Sequence, residues 1–166
     1  MDKKIILIIG LFTIAMFAVG LFVVSSGSSK AELVKTQGAK VFVPEPNFDF
    51  KVIQYSGGNV THSYTMKNNG NSNLQIANIT TSCMCTNAYF KKGSNKSPSF
   101  GMKGMSAPSG WKGTLKPGET GEIVAVFNPS YHGPSGKGPI QRIVSFETND
   151  PDHPYLEVNF EGTVVK

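Results

Sequence analysis

From Asn47 to the C-terminus, apolar and polar residues alternate in short runs broken by turn residues, a pattern that confines the chain to β-structure. Phe48, Phe50 and Val52 alternate with Asp49 and Lys51. Val60, His62, Tyr64 and Met66 form a second face, opposite Thr61, Ser63, Thr65 and Lys67. Leu156, Val158 and Phe160 alternate with Glu157, Asn159 and Glu161 near the end. A period of two puts every second side chain on one side of an extended strand, giving a face for a core and a face for water. Gly57-Gly58, Asn68-Asn69-Gly70-Asn71, Lys116-Pro117-Gly118-Glu119 and Asn149-Asp150-Pro151 supply the turns, since Gly and Asn accept positive φ and Pro pre-sets a turn. Further strands are expected from Leu74 through Ile79 into a cysteine pair, from Glu122 to Phe127 and from Ile140 to Phe146. No stretch beyond residue 24 has helical period. Six or seven short strands in about 120 residues predict an all-β domain, an immunoglobulin-like antiparallel sandwich over residues 47–166.

The N-terminus has a different character. Lys3 and Lys4 precede an uncharged run from Ile5 to Val24. Twenty helical residues span about 30 Å, the thickness of a bilayer core. The run exceeds the apolar region of an ordinary signal peptide and no A-x-A follows it, so residues 1–24 are expected to be a cytoplasmic stub and transmembrane anchor. The flanking lysines hold the N-terminus inside and send the remainder across the membrane. Cleavage within Ser25–Ser29, giving a secreted form, is the alternative. Residues 25–46 open with Ser-Ser-Gly-Ser-Ser and close with Pro44-Glu45-Pro46, and are expected to be a linker. Beyond residue 4 the chain carries 14 basic and 10 acidic residues, scattered rather than in a stripe, which excludes nucleic acid as a partner.

The two cysteines of the chain stand in Ser82-Cys83-Met84-Cys85-Thr86. On an extended strand, positions i and i+2 point to the same side with Cα atoms about 6.6 Å apart, so a disulfide needs a local kink. Three readings are open: a structural pair, bridged or as buried thiols; a soft-metal site, with Cu(I) the favoured ion; and a redox pair. Candidate metal ligands are Cys83 and Cys85, joined by Met102 and Met105 in a Gly-flanked loop and by His132 in Tyr131-His132-Gly133-Pro134. Thioethers are soft donors that need no deprotonation. The competing role for the methionines is to fill gaps where their loop folds over the sandwich edge, with Trp111 as its anchor. His62 is expected at the core edge and His153 in a turn. Without G-x-S-x-G, a phosphate-binding glycine loop or H-E-x-x-H, no catalytic residues are nominated and an enzyme is not expected.

The order of motifs is itself informative. Phe48-Asp49-Phe50 is followed by Val60-Thr61-His62-Ser63-Tyr64-Thr65-Met66-Lys67-Asn68-Asn69-Gly70, Thr81-Ser82-Cys83-Met84-Cys85-Thr86, Leu115-Lys116-Pro117-Gly118-Glu119, Thr148-Asn149-Asp150 and Glu161-Gly162-Thr163-Val164. This series resembles the bacterial envelope proteins grouped as domain-of-unknown-function family fifteen-seventy-three, whose usual core motif is Ser-Cys-Gly-Cys-Thr. It is also similar to the immunoglobulin-like domains of cilia and centrosome proteins. The resemblance implies an exported immunoglobulin-like sandwich and no particular activity. Met84 departs from the usual Gly, and Ser94–Gly113 is an insertion relative to the short form. The expected function is a membrane-anchored extracytoplasmic domain that binds a partner protein or organises structure in the bacterial envelope. An exported copper-binding protein is the alternative. A thiol oxidoreductase is disfavoured for lack of C-x-x-C and of a thioredoxin-like α/β pattern.

Overall fold

The computed structural model describes residues 3–25, 30–107 and 109–166. Among the described residues one helix, α1 (Lys3–Ser25), precedes the sheets and is long and apolar enough to cross a membrane. Its 23 residues give about 35 Å of length.

The strands follow in order: β1 (Val41–Phe42), β2 (Asn47–Gln54), β3 (Val60–Asn68), β4 (Leu74–Thr81), β5 (Thr86–Lys92), β6 (Asn95–Lys96), β7 (Lys112–Leu115), β8 (Thr120–Phe127), β9 (Gly138–Thr148) and β10 (Tyr155–Val165). One sheet has the order β1-β3-β8-β5-β6 and the other β2-β10-β9-β4-β7. Among these strands every ladder is antiparallel except that of β2 with β10, which is parallel. The fold is the immunoglobulin-like sandwich that the alternation predicts. Along β3, Tyr64, Met66 and Asn68 are buried while Thr61, Ser63, Thr65 and Lys67 face water. Ile123, Ala125 and Phe127 of β8 pack from the same sheet against Ile76, Val144, Phe146, Val158 and Phe160 of the other. Tyr64 donates its hydroxyl across the core to the Asn159 carbonyl at 2.7 Å, and burial pushes this phenol well above its ordinary pKa.

Two segments outside the predicted strands pack on the sandwich. The described part of the 25–46 segment, from Lys30 onward, lies along the sandwich. Ala31 is buried and its N–H donates to Ser109 O, while its carbonyl accepts from Asn78 Nδ2. Thr36 N–H donates to Asn149 O, and β1 adds to β3 with Val41 opposite Asn68. A polar, Gly-bearing segment is held here by backbone hydrogen bonds, which leave no mark in hydrophobic periodicity. The Ser94–Gly113 insertion folds back on the sheets: Phe100 and Ala88 exchange backbone hydrogen bonds at 2.8 and 2.7 Å, and Met102 pairs with Thr81. Trp111 packs between Phe90 and Phe100, with centroids 5.7 and 5.6 Å away, and so anchors the loop.

One end of the sandwich is closed by buried polar side chains. Asn68 donates from Nδ2 to Ser72 O and Leu115 O, at 2.8 and 2.9 Å, and accepts at Oδ1 from Gly70 N at 3.0 Å and Lys40 N at 3.5 Å. Asn149 accepts from Gln75 N at Oδ1 and donates to Asn73 O. Asp150 accepts from Val41 N and Asp152 N, both at 2.9 Å. Gly70 sits hard against the Gly38 carbonyl, where a side chain on it would collide. The motifs Asn68-Asn69-Gly70 and Thr148-Asn149-Asp150 are therefore fold determinants: their side chains satisfy backbone groups of neighbouring loops and strand ends.

Candidate functional site

At the other end, β4 finishes at Thr81 and the chain turns before β5 begins at Thr86. Thr86 N–H donates to Cys83 O at 3.1 Å, closing a four-residue turn. Ser82 N–H donates to Ile143 O, and Ser82 Oγ accepts from Ile143 N, each at 3.0 Å, which fastens the turn to β9. Asn128 N–H donates to Cys85 O at 2.9 Å and fastens it to the end of β8. Thr81 Oγ1 lies 3.0 Å from Cys83 O and 2.9 Å from Thr86 O, beneath the turn.

The cysteines thus lie on a turn and not on the strand that the sequence suggests. The turn brings their Cα atoms to 5.3 Å, within the ordinary disulfide range, and Cys83 and Cys85 are bridged. Their surroundings differ. Cys83 is half-buried and Cys85 is 2% exposed. Met84, at the tip between them, is exposed.

Two side chains from distant segments converge on the sulfurs. The loop between β8 and β9 is shaped by Asn128, whose Oδ1 accepts from Ser130 N at 3.0 Å, and by Gly133 at φ 67°. It carries His132, whose Nε2 is 3.3 Å from Cys83 Sγ. From β9, Arg142 donates through Nε to Cys85 Sγ at 3.1 Å. The guanidinium is held from two further sides: Nη1 donates to Gln141 O at 2.7 Å, and the group lies over the Phe127 ring with its carbon 5.8 Å from the centroid. Burial holds Arg142 below its ordinary pKa, yet a guanidinium stays charged at any physiological pH.

The structure therefore gathers Cys83, Cys85 and His132, whose ligand atoms all lie within 4.8 Å of one another. Met102 and Met105 have other surroundings. Met102 is half-buried and lines a cavity of about 240 Å³ with Phe100, Thr80, Asn78 and Tyr155, and neither cysteine is among the described residues of that wall. Met105 is exposed. His62 stacks on Phe48 at a centroid distance of 3.6 Å, where burial pushes its imidazole pKa down, as a core-edge histidine. His153 sits 3.4 Å from Asp150 in the polar end. Arg142 escaped the sequence reading, although it is the single arginine among 16 basic side chains.

Comparison with solved structures places this geometry in context. A protein of unknown function from Porphyromonas gingivalis W83 superimposes with a TM-score of 0.58 at 16% identity, over 80% of this chain and 50% of that one. The chain thus spans half the length of that relative. The PapD-like domain 7 of human CEP192 matches with a TM-score of 0.47 at 15% identity, over 85% of this chain and 96% of that domain. The CsuC-CsuE chaperone–tip adhesion subunit complex of Acinetobacter baumannii matches at 0.42 and 12% identity, over 76% and 52%. No curated protein matches the sequence. Residues 42–98, from β1 through the cysteine turn to just beyond β6, match the family described as protein of unknown function (DUF1573), the family that the order of motifs resembles.

Proposed function

We propose that this chain is a membrane-tethered immunoglobulin-like module on the outer side of a bacterial cytoplasmic membrane, where it engages a protein partner of the envelope. The observation that carries the reading is the closeness of anchor and sandwich. Helix α1 ends at Ser25 and the chain is fastened to the sandwich by Ala31. The six residue steps from Ser25 to Ala31 reach at most about 22 Å, so the domain stands close to the membrane surface instead of on a long stalk. Lys3 and Lys4 on the N-terminal flank favour export of everything after the helix.

Partner binding by strand addition has little room. Among the described residues the edge strands are β1 and β6, of two residues, β7, of four, and β2, of eight, in which Lys51 takes φ 62° and breaks the extended edge. Short and kinked edges resist pairing with other chains, so the loops and sheet faces are the surfaces left for a partner. A C-terminal alkaline phosphatase fusion of the full chain, with alkaline extraction of membranes, tests the reading. Active phosphatase retained in the extracted membrane pellet supports it. An inactive fusion, or release into the soluble fraction, overturns it.

A second reading has one observation in its favour, the convergence of Cys83, Cys85 and His132. With the bridge reduced, two thiolates and an imidazole suit Cu(I). The Arg142 cation at Cys85 works against it. Anaerobic Cu(I) titration of the reduced chain against a chromogenic competitor, beside a Cys83→Ser, Cys85→Ser variant, decides it. One copper held by the wild type and lost by the variant supports the copper reading, and equal failure of both to compete ends it.

A further inference from the structure

We propose that Cys83 and Cys85 form a thiol–disulfide exchange site in which Cys83 is the sulfur attacked by a partner protein's thiolate and Cys85 is the sulfur that leaves. This stands independently of membrane anchoring and rests on three observations. The first is the size of the loop that the bridge closes. It spans one intervening residue, so it removes little entropy from the unfolded chain and is a poor staple. The second is unequal access: Cys83 is half-buried while Cys85 is 2% exposed, which leaves Cys83 as the sulfur an incoming thiolate reaches. The third is charge. Arg142 Nε donates to Cys85 Sγ at 3.1 Å, and a fixed cation there stabilises the negative charge that develops on Cys85 as the bond breaks.

The exchange balances with a partner dithiol as reductant. One partner thiolate attacks Cys83 Sγ, forming a mixed disulfide, and the bridge electrons leave with Cys85 as a thiolate facing Arg142. The partner's second thiolate then attacks its own sulfur in the mixed disulfide and releases the Cys83 thiolate, toward which His132 Nε2 is directed at 3.3 Å. Two electrons pass from the partner, which becomes a disulfide, to the cysteine pair. The two protons lost by the partner thiols go to solvent, from which the new thiolates draw theirs. The reverse sequence, with the reduced pair attacking a partner disulfide through Cys83, uses the same atoms.

The test uses the full chain in detergent, with dithiothreitol as the reductant and maleimide labelling to count free thiols over time. Arg142→Gln is expected to slow reduction about tenfold, because a leaving thiolate deprived of its cation departs more slowly, and Arg142→Lys to recover part of the loss. An unchanged rate in Arg142→Gln overturns the proposal. A second measurement does not depend on that variant folding. In Cys85→Ser the remaining Cys83 should react with an aromatic disulfide about tenfold faster than Cys85 does in Cys83→Ser, because access governs exchange. Equal rates, or a faster Cys85, overturn the assignment of roles.

Discussion

The two ends of the sandwich behave as opposites. Strand β8 joins them: its start, Thr120, faces Lys67 beside Asn68, and its end, Phe127, faces Thr86 beside Cys85. Eight residues separate the ends by roughly 24 Å. At the first end Asn68, Asn149 and Asp150 are buried, and their side chains are occupied by the backbone of four neighbouring segments. At the second, a sulfur reaches the surface with an exposed histidine on one side and a guanidinium on its partner atom. Polar groups saturated by fixed partners hold a fold together, whereas polar groups with an accessible atom and a charge beside it are equipped for chemistry.

The largest expected effect breaks the first end. Asn68→Ala leaves the carbonyls of Ser72 and Leu115 without their buried donor and the Gly70 N–H without its acceptor. Denaturant unfolding should show a loss of about 2–4 kcal/mol, the usual scale for emptying a buried hydrogen-bond hub. The reactivity of Cys83 should be unmoved, since the hub lies at the other end of β8. A changed exchange rate in a folded Asn68→Ala protein would show that the ends are coupled.

A smaller effect sharpens the role of charge at the same end. Burial pushes the Asp150 carboxyl up, but the N–H groups of Val41 and Asp152 together with His153 outweigh it and hold the carboxyl below its ordinary value of 3.8. The ionised form is therefore bound more favourably in the folded protein than in the unfolded one. Its contribution is complete above the unfolded value and disappears as pH falls through the lower folded value. Asp150→Asn, which sets an amide donor against the N–H of either Val41 or Asp152, should cost about 1–2 kcal/mol at neutral pH. Unfolding curves of the two proteins between pH 7 and strong acid should draw together as the wild-type carboxylate is protonated. A constant gap would assign the loss to packing alone.

Much of the polar end was legible as motif and little of it as mechanism. Asn68-Asn69-Gly70 and Thr148-Asn149-Asp150 stood out as turns, and turns they are, yet their partners, such as Leu115 and Val41, are reached only through the tertiary fold. The alternation in β3 and β10 displayed the core face directly, because burial in a two-sheet sandwich imposes the period of two. The cysteine end was half-visible. The motif marked the place, but extended geometry was the wrong guide, since the Thr81 hydroxyl and the anchors to Ile143 and Asn128 fold the segment into a turn. His132 carries no sequence signal beyond that of a histidine in a Gly-Pro loop. Arg142 lies 57 residues from Cys85, and its one available signal was compositional: a lone arginine, on a strand, in a chain that otherwise uses lysine.

The smallest expected effect on stability is also the one that tests the comparison most directly. A bridge closing a loop with a single residue between its cysteines should stabilise the fold by less than about 2 kcal/mol, because loop-closure entropy grows with the length of the loop. The double variant Cys83→Ser, Cys85→Ser should therefore unfold at nearly the wild-type denaturant concentration, with less loss than Asn68→Ala. Reduction of the wild-type pair should likewise leave the far-ultraviolet circular dichroism unchanged. The turn keeps its anchors without the bridge, since Ser82, Asn128 and Thr86 act through the backbone and a serine hydroxyl, not through sulfur. If the double variant loses as much as Asn68→Ala, the bridge is a staple, and the cysteine end is structural like the polar one. If it loses little while abolishing exchange, the bond is maintained for its reactivity and not for the stability of the fold.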